Sequence, residues 1–127
     1  MVYRTCINSE IYISGKATVV GLVTRGAKVY MGARTETKAS EAIREIQNQL
    51  PQAVVRFLAL DLSDLKSVVA AASIIRREET ALHGLVNNAG VMGTPFSETK
   101  DGYEIQFQVR SNSFSWQPTV YGGEIWC

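Results

Sequence analysis

Residues 53 to 90 read AVVRFLALDLSDLKSVVAAASIIRREETALHGLVNNAG and hold the pattern of a strand, a helix and a second strand. The run AVVRFLALD is rich in apolar and β-branched residues, which is typical of a strand. In SDLKSVVAAASIIRREETAL the apolar residues recur at helical spacing, with Ser63 as the predicted N-cap and Asp64 favourable at the positive end of the helix dipole. GLVNNAG is a strand that enters a turn. Strands joined by a helix of this length pair in parallel, so the stretch predicts a parallel sheet covered by helices.

The same alternation continues on both sides of this stretch. A first strand is predicted at VYRTCI, a helix at GKATVVGLVTRG that ends at Gly26, and a strand at AKVYMGAR. The helix TETKASEAIREIQNQLP carries Ala42, Ile43, Ile46 and Leu50 on one face, and KDGYEIQFQV resembles the start of a further helix. We therefore expect an α/β fold, a partial Rossmann-type doubly wound parallel sheet of about four strands in the order 3-2-1-4.

The composition excludes several classes of protein. A length of 127 residues favours one domain, and a net charge of +1 gives no reason to expect nucleic acid or an anionic membrane as a partner. No apolar run is long enough for a transmembrane helix, and the N-terminus lacks the pattern of a signal peptide. Cys6 and Cys127 lie at opposite ends, so they predict neither a disulfide framework nor a metal site. We expect a cytoplasmic protein without a metal.

Four stretches together resemble the N-terminal half of the short-chain dehydrogenase/reductase family, in its retinol-dehydrogenase-like branch. They are GKATVVGLVTRGAKVYMGAR, LALDLSDLKSV, LVNNAGVM and TKDGYEIQFQV. The resemblance covers roughly positions 5 to 109, and the remaining RSNSFSWQPTVYGGEIWC has no sustained period. This predicts a truncated NAD(P)-binding Rossmann half at residues 1–109 and an irregular tail at 110–127.

The resemblance implies a dinucleotide cofactor at the carboxyl ends of the strands. Asn88, Ala89 and Gly90 would lie along it at the switch point of the sheet, and Asp61 and Leu62 would lie beside its adenine ring. Each group has a plainer alternative. Asn and Gly also serve turns through their backbone conformations, and Asp61 also helps the turn into the next helix.

Arg34, at the end of the second strand, favours NADP as the cofactor. An acidic residue there would accept from the ribose 2′-hydroxyl of NAD, whereas an arginine pairs with the 2′-phosphate of NADP. The alternative is an exposed, solvated arginine. Lys38 could assist or be a surface lysine, and His83 receives no role.

The first turn departs from the family's glycine-rich pattern. Ile11 and Gly15 can be laid on that pattern as cofactor-binding residues, but Cys6 and Glu10 stand where the family has its first two glycines. The residues YIS are inserted before Gly15. A Cβ at Cys6 restricts the tight turn, and the carboxylate of Glu10 opposes bound phosphate. We therefore expect weak or lost dinucleotide binding.

The sequence predicts no catalytic residues. The string YISGK has the Tyr-x-x-x-Lys spacing of the family's catalytic pair, but Tyr12 lies in the loop and Lys16 in the first helix rather than on the later catalytic helix. Arg110 stands where the family has a helical Asn. The expected function is a short-chain dehydrogenase/reductase-like oxidoreductase for NADP-dependent alcohol and carbonyl chemistry, truncated and inactive as written. The alternatives are a non-catalytic module that binds a dinucleotide or a partner, including itself or a full-length homologue, and the product of a broken gene.

Overall fold

The computed structural model describes the backbone of residues 4–8 and 13–121 and the side chains of residues 15–113. Strands and helices alternate along the chain as the sequence predicts. The elements are β1 (Arg4–Asn8), α1 (Ile13–Val23), β2 (Lys28–Ala33), α2 (Glu36–Gln49), β3 (Val54–Ala59), α3 (Leu65–Glu78), β4 (Gly84–Asn87) and α4 (Ile105–Tyr121).

The described strands form one parallel sheet in the order β3-β2-β1-β4, which confirms the predicted fold class and strand order. Ala33 of β2 pairs with Ala59 of β3, and Asn8 of β1 pairs with both Gly32 and Asn87. The carboxyl ends of all these strands therefore meet at one edge of the sheet. The order places β1 between β2 and β4, so this edge runs from the end of β3 to the end of β4.

The sheet is buried on both faces. Successive side chains of β2 point to opposite faces and enter two different cores. Val29 and Met31 lie in the core formed with α1 and α2, whereas Tyr30 lies in the core formed with α3 and α4. Ile46 of α2 is fully buried in the first core, and burial of such a side chain contributes roughly 1.5 to 3 kcal/mol. The predicted apolar face of α2 is confirmed, since Ala42 is also buried there.

The turn that follows α1 confirms the predicted helix end at Gly26. Gly26 has φ of 80°, in the left-handed region that glycine adopts without steric cost, and its N–H donates to the carbonyl of Val23 at 2.9 Å.

The predicted N-cap of α3 is wrong by one residue. Asp64 is the N-cap, with extended backbone angles, and its Oδ1 accepts from the N–H of Lys66 at 3.0 Å. The hydroxyl of Ser63 instead donates to Oδ1 of Asp61 at 2.6 Å. Ser63 is therefore committed to the preceding turn, and α3 ends at Glu78, earlier than the predicted helix.

The expectation of irregular structure from residue 110 onward is wrong for residues 110–121. Helix α4 continues without a break across Arg110 to Tyr121. Val109 lies in the second core, and the Nδ2 group of buried Asn112 donates to the carbonyl of Leu62 at 2.8 Å. This contact holds the helix where the sequence has no apolar period. Residues 122–127 lie outside the described residues, and the boundary at residue 109 stays a prediction.

Candidate functional site

The candidate site is the edge of the sheet where the parallel strands end. Arg34 directly follows β2 and is exposed, Asp61 and Leu62 follow β3, and the turn of residues 88–90 follows β4. The topology brings these groups to one edge, where an open parallel sheet binds its ligands. Of the two residues predicted from the first turn, Gly15 is buried in the first turn of α1, and Ile11 lies outside the described residues.

A cavity of about 590 Å³ lies at the β4 end of this edge. Residues 87–92 form one side, and Gln106, Phe107, Arg110 and Ser113 of α4 form the other. A volume of this size is within the range of small-molecule sites, roughly 300 to 1,000 Å³. The structure therefore brings Asn88, Ala89 and Gly90 together around a space that can hold part of a ligand.

The backbone at Gly90 is open toward its surroundings. A Cβ added there would meet no heavy atom within 4 Å, so neighbouring chain atoms do not require glycine at this position. The absence of a side chain leaves the turn accessible to a ligand, which fits the expected passage of a dinucleotide along it.

Hydrogen bonds tie the segment after β4 to α4. The N–H of Gly93 donates to Oε1 of Gln106 at 3.1 Å, and Nε2 of Gln106 donates to the carbonyl of Thr94 at 3.4 Å. The carboxylate of Glu104 accepts from the N–H groups of Gln106 and Phe107 at 3.0 and 2.8 Å. These backbone donors lower the pKa of Glu104 and cap the start of α4. Hydrogen bonds thus stabilise both the segment after β4 and the start of α4, which lie next to the cavity.

Arg110 is a residue whose place in the site the sequence did not predict. Its exposed side chain lines the cavity, and it is the only charged residue among the described residues that do so. Within the described chain it forms no hydrogen bond or ion pair. The signal was present, because Gln106, Arg110 and Ser113 follow the i, i+4, i+7 spacing of one helix face, but only if α4 is recognised as continuing past residue 109.

Asp61 and Leu62 differ in what they offer a ligand. Oδ1 of Asp61 accepts from both the N–H and the hydroxyl of Ser63, so its turn role is present, while Oδ2 has no hydrogen bond within the described residues. The side chain of Leu62 is only 5% exposed and packs in the core, and its carbonyl accepts from Asn112. A ligand at this end would therefore meet Asp61 and backbone rather than the Leu62 side chain.

The described partner of Lys16 is a carboxylate and not a tyrosine. Its ammonium group forms an ion pair with the carboxylate of Glu45 on α2, and this pair lowers the pKa of Glu45. Tyr12 lies outside the described residues. Lys16 therefore lies on α1, as expected, and its ion pair links α1 to α2.

The part of the chain that the structure describes contains no group of three or more His, Cys, Asp or Glu residues placed to hold a metal ion. Within residues 4–8 and 13–121, no helix combines the length and apolar character that a membrane span requires.

The sequence and the fold are both similar to those of known proteins. A family model described as short chain dehydrogenase matches residues 14–119. A short-chain dehydrogenase/reductase of Aspergillus calidoustus is 54% identical over 94 residues, covering 74% of this chain and 30% of the relative. Retinol dehydrogenase 12 of Mus musculus is 45% identical over 95 residues, covering 75% of this chain and 30% of the relative. A crystal structure of a Mycobacterium paratuberculosis protein has a TM-score of 0.82 at 29% identity, covering 94% of this chain and 42% of that one. The chain thus spans about 30% of the length of these curated relatives.

Proposed function

This chain belongs to the short-chain dehydrogenase family, and from that premise we propose that it binds NADP across the carboxyl edge of its sheet as part of an oxidoreductase. The observation that carries the proposal is Arg34, a cation that directly follows β2. Neither Arg34 nor the next residue, Thr35, is acidic. Because a carboxylate at this position favours the 2′-hydroxyl of NAD and a guanidinium favours the 2′-phosphate of NADP, NADP is the expected cofactor.

The described residues fit the two ends of a dinucleotide. Arg34 would pair with the 2′-phosphate, Oδ2 of Asp61 is available to accept from the adenosine portion, and the open backbone at Gly90 would lie along the nicotinamide portion. The dinucleotide, when bound, supplies or accepts the hydride in alcohol and carbonyl chemistry. The residues of this chain bind and orient it.

We expect the 127 residues by themselves to bind NADP weakly and to show no turnover. Hydride transfer to a carbonyl needs a proton donor beside the reacting oxygen, with its pKa tuned for the task. Tyr12 and Lys16 have the right spacing in the sequence, but Lys16 belongs to α1 and is paired with Glu45. We attribute the expected weak binding to Cys6 and Glu10, which stand where the family has glycines.

A second candidate function is a non-catalytic partner-binding module. β4 lies at the end of the strand order, so its outer edge has no strand partner among the described residues. An uncovered strand edge is a site at which another chain can pair. A second copy or a full-length homologue would cover it. The reduced cytoplasm is the compartment proposed for either function, on the evidence of the two widely separated cysteines.

The test of the proposed function is calorimetric titration of the purified chain with NADPH and NADH before and after Arg34→Ala. NADPH affinity should fall about three- to tenfold, since an exposed ion pair is weakened by water, and NADH affinity should stay constant. Arg76→Ala is the matched control, because Arg76 is exposed near the end of α3, at the opposite edge of the sheet. An NADPH preference that survives Arg34→Ala would contradict the assignment.

A further inference from the structure

We propose that the cavity between the β4 turn and α4 binds an oxyanion carried on an apolar body, with Arg110 as the cation that pairs with it. Anion binding at Arg110 is independent of the proposed function, whereas its identification with a substrate rests on that function.

The position of Arg110 is fixed by α4. Gln106, one turn earlier on the same helix face, is hydrogen-bonded to the segment after β4 through Gly93 and Thr94. Val109, next to Arg110, is buried in the core. Residues spaced by four lie on the same face of a helix, so the side of α4 that meets the β4 segment presents Arg110 to the cavity.

The charge of Arg110 has no acidic partner among the residues whose side chains the structure describes. The acidic residues nearest in sequence are already engaged: Glu104 accepts from backbone N–H groups, and Asp101 accepts from Leu65 and Gln108 at 2.9 and 2.6 Å. Arg110 has no ion pair within the described residues, so the cavity carries a net positive charge from its described lining.

The chemistry of the lining identifies the class of ligand. A guanidinium group is planar and donates in a fork that matches a carboxylate or a phosphate. Phe107, which is 63% exposed, and Met92, which is 91% exposed, offer apolar surface beside it. Exposed apolar side chains next to a cation suit an organic anion better than an inorganic one.

The anion is distinct from the 2′-phosphate proposed for Arg34. β1 separates β2 from β4, and adjacent strands lie about 4.8 Å apart, so the two strand ends are roughly 10 Å apart. Two sources of the anion remain, a carboxylate on the substrate and the pyrophosphate of the dinucleotide.

The experiment titrates the purified chain, without dinucleotide, with phenylpropionate, with phenylpropanol as its neutral counterpart, and with inorganic pyrophosphate. We expect phenylpropionate to bind about tenfold more tightly than phenylpropanol, and to lose about tenfold in affinity in Arg110→Gln. Arg110→Lys should restore part of the loss, since it keeps the charge without the fork. Arg76→Gln is the matched control and should change nothing. Circular dichroism verifies that each variant is folded. We expect all of them to fold, because the side chains of Arg76 and Arg110 are exposed.

The outcomes separate the two sources and the two proposals. Arg110-dependent binding of phenylpropionate supports a carboxylate on the substrate, and Arg110-dependent binding of pyrophosphate alone supports the dinucleotide as the source. If neither anion binds, or binding does not depend on Arg110, the inference is overturned. The NADPH titration of Arg34→Ala is independent of these results, so either proposal can fail without the other.

Discussion

The hydroxyl of Tyr30 is buried at the contact between the sheet and α3, and Tyr30→Phe tests what it stabilises. The residue is 1% exposed, and its hydroxyl oxygen lies 2.6 Å from Oε1 of Glu79 and 2.9 Å from Oε2 of Glu78. Lys28 pairs with Glu79 and lies 5.2 Å from the centre of the Tyr30 ring, and Arg56 pairs with Glu78 at 3.3 Å. The Tyr30 hydroxyl is therefore shared between the carboxylates of Glu78 and Glu79. Each carboxylate also has a cationic partner, Arg56 of β3 for Glu78 and Lys28 of β2 for Glu79.

The substitution removes that proton without leaving a large cavity. A hydrogen bond to a charged group contributes about 1.5 to 3 kcal/mol, and Glu79, whose side chain is 3% exposed, cannot replace the lost donor with bulk water. We therefore expect Tyr30→Phe to lower the free energy of unfolding by about 2 kcal/mol near neutral pH.

The difference between the two proteins should shrink in alkali. Burial, and then the hydrogen bonds to Glu79 and Glu78, raise the pKa of Tyr30 above its ordinary value near 10. Above about pH 10 the unfolded chain loses the proton while the folded chain keeps it, so the folded state binds more protons and its stability falls as pH rises. The wild-type protein therefore loses about 1.4 kcal/mol of unfolding free energy by about pH 11 through this titration. The Tyr30→Phe variant has no phenol at this position and does not show this loss.

The assay is urea unfolding of both proteins between about pH 8 and about pH 11. The wild-type advantage should be largest at the lower pH and decline above about pH 10. Tyr103→Phe is the matched control, because the Tyr103 side chain is exposed and its hydroxyl has no hydrogen bond within the described residues. An advantage that stays constant through about pH 11 would refute the raised pKa, and an advantage below about 0.5 kcal/mol would refute the buried hydrogen bond.

The remaining predictions concern α4 and the edge of the sheet. Asn112→Ala should lower the free energy of unfolding by about 1 to 3 kcal/mol, measured in urea, because it leaves the buried carbonyl of Leu62 without its donor. Arg76→Ala, on an exposed position, should not. The purified chain should self-associate through the outer edge of β4, seen as a mass that rises with concentration in sedimentation. A monomer at every concentration would contradict this.

The sequence was sufficient for the sheet and its order. β2 is apolar on both faces because both are buried, and helices of ordinary length separate the strands, so parallel pairing was the expected arrangement. The exact start of α3 was not predictable, because Ser63 and Asp64 are both good N-caps. Their competition is decided by Asp61, which takes the Ser63 hydroxyl as a donor.

The positions of the candidate site were predictable, but not what each side chain offers. Arg34, Asp61 and Asn88 come to the carboxyl edge through topology alone. The Leu62 side chain is buried in the core that also contains Val68 of α3 and Val109 of α4, and a strand pattern does not reveal these neighbours. Arg110 was predicted only as a departure from the family's asparagine, and its place at the cavity requires that α4 continue.

α4 connects both ends of the candidate edge, which explains why its polar residues matter. At the β4 end, Gln106 holds the segment that begins at Gly93. At the β3 end, Asn112 donates to the carbonyl of Leu62, directly after Asp61. One helix therefore contacts both the segment after β4 and the turn after β3. Since Asn112 follows Arg110 by two residues, the segment that carries the proposed anion-binding charge also positions the opposite end of the site. We infer that residues 110–113 belong to the same folded α/β unit as the residues before them, rather than to a separate tail.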